Sequence, residues 1–336
     1  MKKKNVLLLA SFLFLLAVLI GAPLIGSQSL AFHDVLRYLQ GEQTSAGLIF
    51  FRIRLPRVLL AIITGASLSV AGVVFQALLR NPLATPYTLG VASGSALGAL
   101  TVIKTGIAFT VLGFSATQFA AFLGSLLTIM LVYFLATRLQ RLSIYTLILA
   151  GVTLNYFFSA FILILHYLSD FTETHQMIRW TIGGLDIVAY QTLWRSLPVV
   201  LAIALIFWGM GNSLNVLSTS EEIAMSKGVN VPRVQKIALL LASLITGTVV
   251  ALSGPIGFIG LIVPHLLRLA GGPDHRYLIP ASLFFGGGFL ALADTMARTI
   301  LSPIDLPVGI ITTLLGGPFF LWLLAGKRGR RGRDRG

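Results

Sequence analysis

Apolar windows long enough to cross a bilayer recur along the chain, separated by short polar segments. A helix that spans the hydrocarbon core needs about 20 predominantly apolar residues. A shorter apolar segment, 257–270, lies between two glycine-proline breaks. The pattern predicts an all-α polytopic membrane protein of about ten transmembrane helices, forming one domain over 1–336 with a short basic tail at 327–336. The longer predicted spans are 5–25, 57–79, 87–104, 111–136, 144–168, 189–210, 233–253, 277–299 and 307–325.

The composition supports a membrane protein. Hydrophobic residues make up 56% of the chain and charged residues only 11%, with a mean hydropathy of +0.90, so the apolar surface exceeds what one soluble core could bury. The absence of cysteine excludes disulfides, thiolate metal sites and a cysteine nucleophile. The start, MKKKNVLLLASFLFLLAVLIGAPLIG, has the charged beginning of a signal peptide. Its apolar run of about twenty residues is longer than a signal requires and predicts an uncleaved first span.

The net charge is +14, and the places where the positive residues lie predict the orientation of the chain in the membrane. Positive residues cluster at the ends of predicted spans and in the tail, which favours anionic lipid over nucleic acid as their partner. With the N-terminus in the cytoplasm, 17 of the 25 lysines and arginines lie on the cytoplasmic side. This agrees with the positive-inside rule and predicts that both termini are cytoplasmic.

The stretch FFRIRLPRVLL departs from that rule, because it places three arginines, Arg52, Arg54 and Arg57, on the outer side. One interpretation is that they reach lipid headgroups with their stems along the helix. Pro56 fits the first turn of a helix, so Arg54 and Arg57 are expected to flank the start of the second span and face the outer aqueous layer. Two fixed guanidinium groups there could receive carboxylates.

Other polar residues inside the spans have simpler structural interpretations. Asp294 and Arg298 are four residues apart on a predicted helix, where a carboxylate and a guanidinium can compensate each other's burial. Arg298 is nearer the outer end and is expected to serve the outer face as well. His166, His175 and His265 show no metal-ligand spacing, so no metal site is predicted.

Small residues at four-residue spacing predict close helix packing in two places. Gly90, Gly94 and Gly98 share one face of a predicted helix, and Gly65 and Ser69 share another.

Between the second and third spans stands RNPLATPYTLG, whose residues Asn81 to Pro86 interrupt helical structure. Irregular backbone at membrane depth is tolerated only inside protein or along a watery path, so this segment is either a pore element or an ordinary cytoplasmic turn.

The inner loop NVLSTSEEIAMSKGVNVPRV carries the signals of a short helix. A capping box is available to Ser218 with Glu221, or to Thr219 with Glu222. Gly228 is a natural C′ glycine, and Pro232 can open the next helix. The loop is therefore either a capped cytoplasmic helix or a simple connector. The chain has no G-x-x-x-x-G-K-[ST] loop with which to bind ATP itself.

Three stretches together resemble one known family. They are RLPRVLLAIITGASLSVAGVVFQALLRNPLATPYTLGVASGSALGA, GPIGFIGLIVPHLLRLAGGPDHRYLIP and LADTMARTILSPIDLPVGIITTLLGGPFFLWLL. They resemble, in collinear order from about residue 50 to 325, the permease subunits of type II ABC importers, the FecCD-like family that takes up ferric siderophores, heme and cobalamin.

This resemblance implies a transport subunit rather than an enzyme, located in the bacterial cytoplasmic membrane. It implies a homodimer with the translocation path at the dimer axis, two ATP-binding subunits on the cytoplasmic side and an extracytoplasmic binding protein. It implies no cofactor in this chain, with ATP and Mg²⁺ held by the ATPase.

The resemblance also assigns roles by position. Docking of the binding protein falls to Arg54, Arg57 and Arg298. The cytoplasmic gate falls to Asn81, Leu83, Ile144 and Tyr145, although a family member has small hydroxyl residues where this chain has Ile144 and Tyr145. Coupling to the ATPase falls to Glu221, Glu222, Ala224, Lys227 and Gly228.

Other interpretations predict different patterns. A stand-alone ion-coupled secondary transporter predicts titratable groups at mid-membrane, and apart from Asp294 the spans have few. An intramembrane enzyme needs a nucleophile with a base, or a metal set, and none is recognisable. Among the family's substrates, an iron chelate (a ferric siderophore or heme) is favoured because iron-chelate permeases are its most common members. Cobalamin is the main alternative.

Overall fold

The computed structural model describes residues 2–26, 28, 30–138, 144–186 and 188–333. The inner segment 139–143, with Arg141, and the tail residues 334–336 lie outside the described residues. The fold is all helical apart from an antiparallel hairpin of two-residue strands, β1 (Thr110–Val111) and β2 (Phe114–Ser115). The helices are α1 (Lys2–Gly21), α2 (Phe32–Leu39), α3 (Ser45–Ile49), α4 (Leu55–Leu78), α5 (Val91–Thr105), α6 (Ala116–Arg138), α7 (Ile144–Tyr167), α8 (Phe171–Ile182), α9 (Tyr190–Gly209), α10 (Gly211–Leu217), α11 (Glu221–Ser226), α12 (Val231–Ser253), α13 (Ile259–Gly271), α14 (His275–Thr299) and α15 (Val308–Arg333).

All ten predicted spans are present as helices. Seven helical segments of the described chain are long and apolar enough to cross a membrane. Three shorter apolar helices, Val91–Thr105, Ile259–Gly271 and Val308–Leu323, account for the others. The prediction of an all-α protein with about ten spans is therefore confirmed.

Helix α4 forms the centre of the bundle and packs against α12, α13 and α14. Gly65 lies against the backbone of Gly286, and the Ser69 hydroxyl donates a 2.7 Å hydrogen bond to the Ser282 carbonyl. Side chains of this size let two helix backbones approach closely in lipid. The packing predicted for Gly65 and Ser69 is confirmed.

Helices α5 and α6 make the second close contact. Gly94 packs against Gly124 and Gly98 against Ala120, as the glycine spacing predicts. Gly90 differs, because it is the N-cap of α5 with φ +83°, a left-handed conformation that favours glycine. It therefore lies outside the helix face that the spacing assigned to it.

The second span does not begin at Arg57. Thr44 caps α3 by accepting from the Gly47 N–H, and a π-helical turn at Phe50–Arg54 joins α3 directly to α4. Helical structure thus runs without interruption from Ser45 to Leu78. In the i to i+5 register of a π turn, the Phe51 carbonyl faces Pro56, which has no N–H to give. The Tyr190 hydroxyl donates to that carbonyl instead.

Several elements were not predicted, among them the short helices α2, α3 and α10, the polar helix α8 and the β1–β2 hairpin. Helix α8 begins with a capping box, in which Asp170 accepts from the Glu173 N–H and Glu173 accepts from the Asp170 N–H. The β1–β2 hairpin occupies the start of the predicted span 111–136, so α6 begins only at Ala116.

Candidate functional site

A buried ion cluster joins α4 and α14 at the predicted outer end. Arg57 donates to both carboxylate oxygens of Asp294 at 3.0 to 3.1 Å and to Asp305 at 3.0 Å. Arg298 brings its Nε to 3.1 Å from Asp294 in the predicted i, i+4 pair. The Asp294 side chain has no exposed surface. Two arginines and two aspartates therefore balance each other's charge in one contact network.

Arg54 and Arg298 are occupied inside the protein. Arg54 is 5% exposed and donates to three backbone carbonyls, those of Pro23 (3.3 Å), Leu24 (3.1 Å) and Gln28 (2.6 Å). Arg298 is 6% exposed and points Nη atoms at the Ala22 and Ile25 carbonyls, both at 3.4 Å. The expectation that these two guanidinium groups face the aqueous layer is wrong, because the turn after α1 folds over them and its carbonyl groups accept their hydrogen bonds.

Arg57 differs from the other two arginines in having an exposed partner. Its own side chain is 13% exposed, whereas that of Asp305 is 59% exposed. Arg37 and Arg52 are exposed cations at the same end of the bundle.

The predicted gate residues lie at the opposite end of the bundle. Asn81 follows α4 and accepts the Leu83 N–H through Oδ1 at 2.9 Å, while the Ala84 N–H donates to the Asn81 carbonyl. These bonds close a turn that leaves Leu83 55% exposed. At the start of α7, Ile144 packs on the core and Tyr145 is 87% exposed.

A polar network at the far side of this loop was not predicted. The Tyr87 hydroxyl donates to the Ile256 carbonyl and accepts the Ile256 N–H, at 2.9 and 3.0 Å. Asn155 of α7 donates to the Tyr87 carbonyl at 3.2 Å and accepts from Ser93 at 2.7 Å. An asparagine in the middle of the predicted span 144–168 was the available signal. The network ties α7 to the start of α5 and to the irregular segments that precede α5 and α13.

Helix α11 is capped at both ends. Ser220, rather than Ser218 or Thr219, accepts from the Ile223 N–H. The predicted capping residues are unavailable because their hydroxyl groups donate back to carbonyls of α10. The predicted capping boxes are therefore wrong.

The glycine stop of α11 is confirmed. Gly228 has φ +77° and donates to the Met225 carbonyl, and Val229 donates to the Ala224 carbonyl. This is the Schellman arrangement. Asn230 then caps α12, with Pro232 in its first turn as predicted.

The predicted coupling residues fall on two faces of α11. Ala224 is fully buried against the bundle, so it anchors the helix and does not lie on its exposed side. Glu221 accepts from Arg80 at 3.0 Å and from Gln235 at 3.2 Å. The exposed face consists of Glu222, Ile223, Met225 and Lys227. Hydrogen bonds from its own backbone N–H and from Ser220 lower the pKa of Glu222, which keeps this face charged.

Asp274 organises the neighbouring loop between α13 and α14. It accepts from Lys4 (2.9 Å), Asn215 (2.9 Å) and Arg276 (2.8 Å). Hydrogen bonds from Arg276, and then from Asn215 and Lys4, hold the pKa of Asp274 well below its usual range. The N-terminus, α10 and α14 are thereby joined at one carboxylate.

The three histidines occupy different surroundings. His265 packs its ring on Phe319 and Phe320. His166 is partly buried at the end of α7, and His175 is exposed on α8. Within the described ranges, no three His, Cys, Asp or Glu side chains are grouped closely enough to hold a metal ion.

Comparison with known proteins identifies the family. The chain matches the FecCD transport family over residues 9–326. It is 39% identical over 330 residues to a hemin transport system permease of Yersinia pestis, covering 97% of each chain. It is 39% identical over 289 residues to a vitamin B12 import system permease of Yersinia pseudotuberculosis, covering 85% of this chain and 84% of that one.

A solved structure gives the same answer for the fold. It is described as an inward-facing conformation of an ABC transporter assigned to the metal-chelate type. The two chains share 31% identity and superpose with a TM-score of 0.84, over 95% of this chain and 98% of the other. The chain belongs to the FecCD transport family of ABC importer permeases, as the multi-span transport subunit and not the ATP-hydrolysing one.

Proposed function

We propose that this permease imports an iron chelate, either heme or a ferric siderophore. The substrate class is argued from the share of each chain that the alignment includes. The hemin permease aligns over 97% of both chains, and the metal-chelate type transporter over 95% of this chain and 98% of the other. The vitamin B12 permease aligns over 85% and 84%, so cobalamin is the second candidate. The cargo is substrate and needs no resident cofactor in this chain.

The translocation path is proposed to lie between two copies of this chain. Only 17% of the α7 span is buried within the single chain, against 89% of the α4 span. The exposed side of α7 carries polar as well as apolar groups, including Thr153, Tyr156 and Ser159. Exposing hydroxyl groups to lipid costs free energy. The exposed side of α7 is therefore better suited to contact a second copy of the chain, or to line a watery path between the two copies, than to face lipid.

The ATPase is proposed to drive transport through a contact with α11, the second exposed element. Its outward residues Glu222, Ile223, Met225 and Lys227 combine apolar and charged groups, which suits contact with an ATPase subunit. Closure of two ATPase subunits would move α11 and open the turn at Asn81 and Leu83, with Ile144 and Tyr145 on the neighbouring helix. Both termini are proposed to lie on this cytoplasmic side.

The binding protein is proposed to dock at the outer end through Arg57. Arg54 and Arg298 support this site by holding the turn after α1 in place. Asp305 is exposed, so a carboxylate of the binding protein could take its place on the Arg57 guanidinium. Exposed Arg37 and Arg52 would steer the approach of an acidic partner.

Docking is tested by measuring binding-protein affinity for the permease in lipid nanodiscs. Arg57→Ala should weaken association about tenfold or more, because it removes the charge that the partner contacts. Asp305→Asn should strengthen association, because Arg57 then loses its internal competitor. Arg52→Ala is the matched control and should alter mainly the association rate and its salt dependence. Unchanged affinity in both Arg57→Ala and Asp305→Asn would exclude docking at Arg57.

Substrate class is tested by uptake into proteoliposomes holding the permease with its cognate ATPase and binding protein. Hemin, a ferric siderophore and cobalamin are offered in parallel under ATP. Uptake of hemin or the siderophore, unaffected by excess cobalamin, is the expected result. Uptake of cobalamin alone would replace the iron-chelate assignment with the second candidate.

A further inference from the structure

An arginine occupies a backbone position at the end of α4 that glycine usually takes. The Arg80 N–H donates to the Ala77 carbonyl and the Asn81 N–H to the Gln76 carbonyl, at 3.3 and 3.2 Å. This is a Schellman stop with Arg80 at C′, where φ is +46°. A residue with a Cβ is strained there, so the backbone alone gives no reason for an arginine.

The Arg80 side chain does have a partner on another element. Its Nη2 lies 3.0 Å from Oε1 of Glu221, in the first turn of α11. The same oxygen accepts from Nε2 of Gln235 at 3.2 Å, and Gln235 is buried on α12. The ends of three helices therefore meet at one carboxylate oxygen.

The turn that carries the proposed gate follows Arg80 directly. Asn81, the next residue, closes that turn by accepting the Leu83 N–H. No residue lies between Arg80 and this turn, so a movement of the Arg80 backbone is passed directly to Asn81. On the other side of the ion pair, Glu221 is followed at once by the exposed residues Glu222 and Ile223.

We propose that Arg80 is a positioning residue that links α11 to the gate turn through its ion pair with Glu221. The inference rests on the proposed function, in which an ATPase moves α11. When α11 is displaced, Glu221 carries the Arg80 side chain with it, and the turn from Asn81 to Ala84 follows. Both side chains are about one-third exposed, at 30% and 32%, so the pair is weak enough to rearrange within each transport cycle.

One substitution can remove the Arg80 side chain without disturbing the backbone that ends α4. Arg80→Gly relieves the left-handed strain and keeps the helix stop, so this variant should fold and assemble at least as well as the parent chain. It removes only the side chain. We expect ATP hydrolysis to persist while substrate uptake per ATP falls about fivefold or more.

Charge reversal tests the pairing itself. Arg80→Glu and Glu221→Arg should each lower uptake per ATP, and the double variant should recover much of the loss, which a purely structural role at either site would not produce. Arg80→Lys should also retain part of the coupling. Arg233→Glu, an exposed cation in the first turn of α12, is the control for added negative charge at this end.

The outcomes separate the link from the function on which it rests. Uptake per ATP equal to that of the parent chain in Arg80→Gly, or a double reversal no better than either single change, overturns the link alone. Failure of the parent chain to show any ATP-driven uptake overturns the proposed function, and the link with it.

Discussion

Asp294 is the most deeply buried acidic side chain in the described part of the chain. It is fully buried, contacts Arg57 on a neighbouring helix and lies one turn before Arg298 on its own. A buried charge is costly unless it is paired and hydrogen-bonded, and here two guanidinium groups supply the compensation. The Arg298 Nε atom lies close to Asp294, but its N–H group does not form a hydrogen bond to the carboxylate. Arg57 does donate hydrogen bonds to Asp294 and is therefore the stronger partner.

Removing this charge is expected to destabilise the fold. Asp294→Asn leaves two arginines without their shared counter-ion, at a cost of about 3–5 kcal/mol in the free energy of unfolding. Asp305→Asn, at the exposed end of the same network, should cost less than about 1 kcal/mol. Denaturant or thermal unfolding of both variants in detergent measures the difference. Equal stability of the two variants would show that the network does not hold the bundle together.

The charge pairs illustrate how far sequence reasoning reaches for single residues. The Asp294–Arg298 contact was predictable because both residues lie on one helix at a fixed spacing. The burial of Arg54 was not, because its acceptors are carbonyls of a turn 26 to 31 residues away. Every residue has a backbone carbonyl, so the sequence does not show which of them will accept a hydrogen bond from a distant arginine.

The end of α11 depends on the backbone conformation of one residue, Gly228. Nothing lies within 4 Å of where a Cβ on Gly228 would stand, so only its φ of +77° restricts the choice of residue. Asparagine tolerates this left-handed conformation, whereas a β-branched residue does not. The glycine therefore sets the end of the helix through backbone freedom and not through packing.

Two substitutions at Gly228 are expected to differ. Gly228→Val should strain the stop by about 1–2 kcal/mol, distort the exposed face of α11 and lower ATP-driven uptake. Gly228→Asn, of similar size, should retain most of it. Uptake and ATPase activity in proteoliposomes measure both. Full activity of the valine variant would mean that α11 serves only as a connector.

Element prediction succeeded where hydrophobic windows are long and failed where hydrogen bonds decide. The seven long spans were predicted because lipid demands about 20 apolar residues in each, and the three shorter ones because they are apolar throughout. Helix α8 was missed even though Asp170 and Glu173 have capping-box spacing, because its sequence is too polar to register as a span. The π turn before α4 was missed because one of its carbonyls, that of Phe51, takes its hydrogen bond from Tyr190 on a distant helix, which the local sequence does not indicate.

For the molecule as a whole, the two ends of the bundle differ in charge. The end assigned to the outside carries eight lysines and arginines against seven acids, two of which are held in the Asp294 network. The opposite end carries 17 against four. By the positive-inside rule, the excess of lysine and arginine at one end predicts that this end faces the cytoplasm. In that predicted orientation, α11 and the proposed gate turn lie on the side where ATP is available.

The same arrangement explains why this chain needs partners. Its exposed surfaces at α7, α11 and the outer end are three separate regions, which we propose as the contacts with a second copy, an ATPase and a binding protein. Membership in a family of ABC importer permeases implies the ATPase and the binding protein. Among the described residues, the one fully buried carboxylate, that of Asp294, is already paired with arginines, which does not favour a role in coupling transport to an ion gradient.

The most direct measurement is uptake of radiolabelled hemin into proteoliposomes from which one component at a time is omitted. We predict accumulation only when permease, ATPase, binding protein and ATP are all present, with no uptake driven by a proton or sodium gradient. Accumulation by this chain alone under an ion gradient would contradict the account and identify a secondary transporter.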